Sequence, residues 1–122
     1  MPPFIPYQPP PCRRVLVVED SPALRESLRV LLGLWGHRVE VAGDGLAGVR
    51  LGLEWRPEAG IIDLDLPHLG GLEAARRLRD GLGQAVPLIA LTGLVQAEDR
   101  MRGAGFDAYL RKPADVVEYP SR

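Results

Sequence analysis

Short apolar runs alternate with amphipathic segments along the chain from residue 13 onward. The apolar runs are of the buried-strand type, and between them apolar residues recur at helical spacing. Parallel strands need crossover connections, which are usually helices, so strict alternation predicts a parallel sheet with helices on both faces. The chain of 122 residues is long enough for one such domain. We therefore expect a doubly wound α/β fold.

The predicted elements follow one another at short intervals. Strands are predicted at Val15–Val18, Val39–Val41, Ala59–Leu64, Pro87–Thr92 and Ala108–Arg111. Helices are predicted from Pro22, after the N-cap Ser21, to about Gly36, and at Leu46–Trp55, Leu72–Arg79 and Ala97–Arg102. Nine residues, Ala114–Arg122, follow Pro113, and Pro120 interrupts them, so we expect a shortened fifth helix. An apolar patch beside the first helix would then be incompletely covered, unless the N-terminal tail or a partner covers it.

The N-terminus differs in composition from the rest of the chain. Six of the twelve prolines fall within the first eleven residues. Proline fixes φ and lacks the N–H that helices and sheets require. We expect residues 1–12 to be a disordered proline-rich tail or linker, and residues 13–122 to be the folded domain.

Composition excludes several classes of function. The formal net charge is −1, with 15 basic and 16 acidic residues, so direct nucleic-acid binding is not expected. No apolar run approaches the roughly 18 residues needed to cross a bilayer, so membrane insertion is not expected either. The lone Cys12 cannot form an internal disulfide. These features together predict a cytoplasmic protein.

Polar residues follow four of the predicted strands. Asp20 and Asp63 close the first and third, Thr92 closes the fourth, and Lys112 follows the fifth. Parallel strands end at the same edge of a sheet, and open α/β sheets bind ligands there. Lys112 is the one lysine among fourteen arginines, and lysine supplies a compact charge that reaches a single phosphate oxygen. The four strand ends predict a site for a cation and a phosphoryl group.

Glu19, Asp20 and Asp63 would repel one another at this edge. Two like charges about 4 Å apart cost on the order of 4 kcal/mol at an effective dielectric constant of about 20. Carboxylate oxygens without nearby imidazole or thiolate favour Mg²⁺, or Mn²⁺, as the compensating ion. A carboxylate beside such an ion can accept a phosphoryl group covalently. Lys112 and Thr92 have the charge and the hydroxyl that could contact phosphoryl oxygens.

Four motifs of this chain resemble those of the receiver domain of two-component response regulators, including chemotaxis regulators. They are Val17-Val18-Glu19-Asp20-Ser21, Ile61-Ile62-Asp63-Leu64-Asp65-Leu66-Pro67 with Gly70-Gly71, Leu91-Thr92-Gly93, and Tyr109-Leu110-Arg111-Lys112-Pro113. The resemblance implies a flavodoxin-like sheet in the strand order 2-1-3-4-5. It also implies that Asp63 is the phosphoacceptor, contacted by Lys112 and Thr92 once it is phosphorylated. The implied metal ligands are Asp20, Asp63, Glu19 through water, and the backbone carbonyl of Asp65.

The resemblance further implies a signalling cycle. A histidine kinase or a phosphotransfer protein would donate the phosphoryl group, and the domain would catalyse only its own phosphorylation and dephosphorylation. Thr92 and Tyr109 would act as the switch residues. The output surface would consist of helix four, strand five and helix five, which would contact a downstream protein or domain and could form a homodimer.

Two alternatives remain open from the sequence. Asp63-Leu64-Asp65 is similar to the Asp-x-Asp signature of haloacid-dehalogenase-type phosphatases, in which Asp63 would be the nucleophile. However, that signature normally opens its domain, whereas here a strand ending in Glu19-Asp20 precedes it. The second alternative is a pseudo-receiver that is never phosphorylated and acts only through protein contacts.

Overall fold

The computed structural model describes residue 4, residues 12–93 and residues 98–112. The described elements are β1 Arg14–Val18, α1 Pro22–Leu34, β2 Arg38–Ala42, α2 Gly45–Trp55, β3 Ala59–Asp63, α3 Gly71–Leu82, β4 Leu88–Thr92, α4 Glu98–Gly103 and β5 Ala108–Arg111. The predicted fifth helix lies outside the described residues, as does the predicted tail except for residues 4 and 12, so both remain predictions.

The five strands form one parallel sheet in the order β2-β1-β3-β4-β5. Val17 of β1 pairs with Val41 of β2 on one side and with Ile61 of β3 on the other. This arrangement confirms the predicted α/β fold and the predicted strand order. Because all neighbours are parallel, the carboxyl ends of the strands meet at one edge. We call this edge the C-terminal edge of the sheet.

Side-chain caps set where the first two helices begin. The Ser21 hydroxyl accepts a hydrogen bond from the Leu24 N–H at 3.3 Å, and Pro22 occupies the first turn of α1. Asp44 caps α2 in the same way, through the N–H of Ala47 at 2.8 Å. The two helices therefore start immediately beyond the C-terminal edge and run back over the sheet.

Two apolar clusters cover opposite faces of the sheet. Leu16, Val18 and Ile62 pack against residues of α2, α3 and α4, which include Val49, Leu78 and Met101. Val15, Val17, Ile61 and Leu91 form the other cluster, against which Leu24, Leu28 and Leu32 of α1 pack. Alternate residues of a strand point to opposite faces, so the continuous apolar run of β1 serves both clusters.

The structure differs from the prediction mainly at element ends. Helix α3 continues to Leu82, three residues past the predicted end, because Leu82 still packs against the core. Several apolar residues in the second half of α1 and at its C-cap are exposed, namely Val30, Leu31, Leu34 and Trp35. The predicted apolar patch beside the first helix stays a prediction, because it depends on the fifth helix, which lies outside the described residues. Among the described residues, no helix has both the length and the apolar character that crossing a membrane requires.

Candidate functional site

Three acidic residues converge at the C-terminal edge of the sheet. Asp63 is the last residue of β3, and Glu19 and Asp20 directly follow β1. One carboxylate oxygen from each of the three lies within 4.8 Å of the others. Glu19 and Asp63 are fully buried, whereas Asp20 is exposed. The cluster therefore has two acids inside the protein and one at its surface.

The ammonium group of Lys112 lies between the two buried acids. Its Nζ atom is 2.9 Å from Asp63 Oδ2 and 3.5 Å from Glu19 Oε1. The backbone N–H of Lys112 donates to the carbonyl of Thr92 at 2.6 Å, which anchors the residue to the end of β4. The sequence pattern assigned the ends of β1, β3, β4 and β5 to one edge. In the structure, this arrangement brings Lys112 into contact with Asp63 and Glu19.

Backbone N–H groups fix the orientation of both buried carboxylates. Asp63 Oδ1 accepts a hydrogen bond from the N–H of Asp65 at 3.0 Å, and Glu19 Oε2 accepts one from the N–H of Ser21 at 2.8 Å. Within the described residues, the other carboxylate oxygen of Glu19, Oε1, is buried and has no hydrogen-bond partner. Its contact with the Lys112 ammonium at 3.5 Å is an ion pair and not a hydrogen bond, so this oxygen can still accept a ligand.

The site shifts the titration of Glu19 and Lys112. Burial raises the pKa of the Glu19 carboxyl to about 7, and the negative charge of Asp63 adds to this effect, whereas the Ser21 hydrogen bond and the Lys112 charge oppose it. Burial alone would lower the pKa of Lys112. Its hydrogen bond and charge attraction to Asp63, together with the charge of Glu19, nevertheless raise the pKa of Lys112 above its usual value.

The start of α3 lies directly against the backbone of Asp63. A methyl group at Gly71 would overlap the carbonyl oxygen of Asp63 and the Cα atom of Leu64. The Gly71 N–H donates to the Leu64 carbonyl at 3.2 Å, which holds the β3–α3 loop to the strand end. The sequence motif contains Gly70-Gly71, but nothing in it predicts this close approach.

Thr92 and Tyr109 occupy different parts of the sheet. Thr92 ends β4 and is buried, close to the backbone of Lys112. Tyr109 pairs with Ala90, two residues before Thr92, and its side chain is 37% exposed. It lines an open groove of about 300 Å³ between α4 and β5, together with Glu98, Met101, Arg102, Phe106, Asp107 and Ala108.

Comparison with known proteins gives consistent results. The chain is 41% identical over 111 residues to the response regulator MprA of Mycobacterium tuberculosis. The aligned region covers 89% of this chain and 48% of that protein. The chain thus spans about half the length of the curated relatives it matches.

Two solved structures are similar to this one. The receiver domain of the sensor histidine kinase PA1611 from Pseudomonas aeruginosa, which has a magnesium ion coordinated in its active-site cleft, is 34% identical, with a TM-score of 0.76. The match covers 91% of this chain and 93% of that one. A CheY-like receiver domain protein from Methanospirillum hungatei is 27% identical, with a TM-score of 0.79, and covers 91% of this chain and 92% of its own.

The family model for the response regulator receiver domain matches residues 15–121. This range includes the five described strands, apart from Arg14 at the start of β1, and the acidic cluster with Lys112. Sheet order, the strand-end residues and the relatives agree with the match. The chain belongs to the response regulator receiver domain family of two-component signalling systems.

Proposed function

We propose that Asp63 accepts a phosphoryl group from the phosphohistidine of a histidine kinase or of a phosphotransfer protein. The observation that carries this proposal is the setting of the Asp63 carboxylate. One oxygen is held by the Asp65 N–H at 3.0 Å, and the other is 2.9 Å from the Lys112 ammonium. In the transfer, an Asp63 oxygen bonds to phosphorus while the nitrogen–phosphorus bond of the donor breaks. The imidazole leaves with that electron pair and later takes a proton from solvent.

The residues at this edge fit a Mg²⁺ or Mn²⁺ ion. Glu19, Asp20 and Asp63 offer convergent hard oxygen donors, and the buried Glu19 Oε1 has no hydrogen-bond partner among the described residues. Asp20 and Asp63 would bind the ion directly, Glu19 through water, and Asp65 through its backbone carbonyl. When bound, the ion neutralises charge on the transferring phosphoryl oxygens.

Lys112 and Thr92 would stabilise the phosphorylated state. Lys112 already contacts the acceptor carboxylate, so its ammonium can follow the charge onto a phosphoryl oxygen with little movement. Thr92 ends the neighbouring strand and can donate its hydroxyl to another of these oxygens. Two cations and a hydroxyl around one phosphoryl group are what a largely dissociative transfer requires.

The phosphoryl group would change an interaction surface at α4 and β5. Phosphorylation replaces the single charge of the Asp63 carboxylate with a phosphoryl group of roughly −1.5 to −2, which favours movement of Thr92 towards the phosphoryl group and of Tyr109 inward. Tyr109 is now partly exposed in the groove against α4. An output protein or domain, or a second copy of the domain, would bind there and on the predicted fifth helix. We place this signalling cycle in the cytoplasm.

Family membership supports the receiver over a haloacid-dehalogenase-type phosphatase. The acidic cluster and its lysine argue against a pseudo-receiver, because two buried acids serve no evident packing purpose. On this proposal the domain is not a turnover enzyme, since its own aspartate is the substrate that becomes phosphorylated.

The proposal is tested by intact-protein mass spectrometry after incubation with Mg²⁺ and a small acyl phosphate. The wild-type chain and Asp65→Asn, a matched control that keeps the acceptor, should each gain one phosphoryl group. Asp63→Asn and wild type with a chelator should gain none. An Asp63→Asn variant that gains a phosphoryl group, or a folded wild-type chain that never gains one, would refute the assignment. Sustained hydrolysis of a phosphate ester would instead favour the phosphatase.

A further inference from the structure

The side chain of Arg25, in the second turn of α1, contacts the backbone that joins two of the acids. Its Nη1 atom donates to the carbonyl oxygen of Glu19 at 3.0 Å. The same guanidinium lies against the β2–α2 loop, where a methyl group on Gly43 would come within 3.0 Å of Nη1. Arg25 therefore links the segment that carries Glu19 and Asp20 to the neighbouring loop.

This contact fixes a peptide plane. The N–H of Glu19 donates to the carbonyl of Ala42 at 3.0 Å, and its carbonyl accepts from Arg25, so the residue is held on both sides. A peptide group is planar, so a fixed Glu19 carbonyl also fixes the N–H and the chain direction at Asp20. Asp20 is exposed, and packing therefore contributes little to holding its side chain towards the cluster.

We propose that Arg25 is a positioning residue for the metal site and acts through the Glu19 carbonyl. The inference rests on the proposed function, because it assumes that the three acids bind a divalent ion. Loss of the contact would let the Glu19–Asp20 peptide rotate towards water and would separate the two carboxylates. Removal of an outer partner of a metal ligand typically lowers metal affinity by about 10- to 100-fold.

The direction in which neutralisation of Arg25 changes Mn²⁺ affinity distinguishes a positioning role from a purely electrostatic one. A cation near the acids repels Mn²⁺, so if Arg25 acted only as a charge, its neutralisation would tighten binding. If Arg25 positions the Glu19 peptide, the same change weakens binding. Arg29 is the matched control, because it lies one turn further along α1 and pairs with Glu26 instead.

The experiment measures Mn²⁺ affinity from the electron paramagnetic resonance signal of the free ion. We expect Arg25→Gln to raise the dissociation constant about 10-fold. Arg25→Lys, which keeps one donor, should recover most of the affinity, and Arg29→Gln should match wild type. Phosphorylation by an acyl phosphate should need correspondingly more Mg²⁺ for half-maximal rate, with an unchanged rate at saturation.

Arg25→Gln that binds Mn²⁺ as tightly as wild type, or more tightly, would overturn the inference. A wild-type chain that binds no Mn²⁺ would count against the metal site itself, which separates the two failures. If thermal unfolding shows that Arg25→Gln does not fold, Arg25→Met decides the question, because it keeps the apolar stem of the side chain and removes every donor. Unchanged Mn²⁺ affinity in a folded Arg25→Met variant would also overturn the inference.

Discussion

Lys112 places a positive charge between two buried carboxylates that would otherwise repel each other. Its ammonium is 2.9 Å from Asp63 Oδ2 and 3.5 Å from Glu19 Oε1, and both acids are fully buried. Burial penalises each charge, and the ammonium compensates part of that penalty by direct attraction. One lysine thus supports the fold and, on our proposal, the transfer chemistry.

Lys112→Met should destabilise the domain by about 3 kcal/mol, because it leaves a buried charge without its partner. Urea unfolding at neutral pH without divalent ions measures the change. Arg111→Met, which alters the exposed residue at the end of β5 next to Lys112, should stay within about 0.5 kcal/mol of wild type.

The double variant Lys112→Met/Asp63→Asn should regain much of the stability that Lys112→Met loses, since it removes the orphaned charge as well. A loss below about 1 kcal/mol in the single variant would contradict this electrostatic account.

The sequence predicts which residues are at the site better than it predicts how they are held. Asp63 ends β3 and Lys112 directly follows β5, so the strand pattern alone assigns them to one edge. The contact between Arg25 and Glu19 depends on how α1 packs beside the β2–α2 loop. An arginine on a helix face has no local signal that separates such a contact from ordinary solvated charge.

At the scale of elements, the junction between β3 and α3 positions the acceptor. Helix α3 begins at Gly71, whose missing side chain allows the helix to start against the Asp63 carbonyl. Gly70 immediately before it is the N-cap and has open space around the position of a side chain. Two adjacent glycines therefore have different structural roles.

Gly71→Ala should destabilise the domain by about 3 kcal/mol or more, because backbone atoms of Asp63 and Leu64 must move to admit the methyl group. It should also slow phosphorylation of Asp63. Gly70→Ala is the control and should change stability by less than about 1 kcal/mol. Thermal unfolding of the two variants measures the difference in stability. Equal effects would show that the close approach of Gly71 to the Asp63 backbone does not require glycine at this position.

Element positions followed from local pattern, whereas the predicted end of α3 was wrong. Ser21 and Asp44 are caps that a reader can recognise before two of the helices. Helix α3 ends at Leu82, which packs against the core, and Gly83 directly after it has a φ of 91°. A glycine in this position is a local stop signal, which the predicted end at Arg79 did not use.

At the scale of the whole molecule, Arg79 joins segments that are distant in sequence. Its guanidinium donates to the backbone carbonyls of Gly83, Val86 and Gly105 and to the Asp107 carboxylate. The side chain is only 7% exposed. These hydrogen bonds connect the end of α3 and the loop before β4 to the segment before β5. All of these segments precede strands, so they lie at the edge of the sheet opposite the C-terminal edge.

Arg79→Met should lower the free energy of unfolding by about 1 to 3 kcal/mol, since three part-buried backbone carbonyls and the half-exposed Asp107 carboxylate each lose a hydrogen-bond donor. Arg77→Met is the control, because Arg77 is exposed and pairs only with Glu73 among the described residues. If the two variants unfold at the same urea concentration, Arg79 does not hold these segments together.

The overall architecture was predictable because strand pattern and the receiver motifs lead to the same topology. The motifs resemble a family whose sheet order is 2-1-3-4-5, and the structure has that order. Arg79 was not predicted, because its partners are carbonyls, which every residue carries. Contacts of this kind are specified by the folded chain as a whole.

The most direct test of the account locates the phosphoryl group on the chain. After phosphorylation with Mg²⁺ and a phosphohistidine donor, borohydride reduces an aspartyl phosphate to homoserine, and peptide mass spectrometry identifies the altered residue. The account predicts homoserine at position 63 only, and none when the donor is omitted. Homoserine at Asp20, Asp65 or any other acid, with Asp63 unchanged, would contradict it.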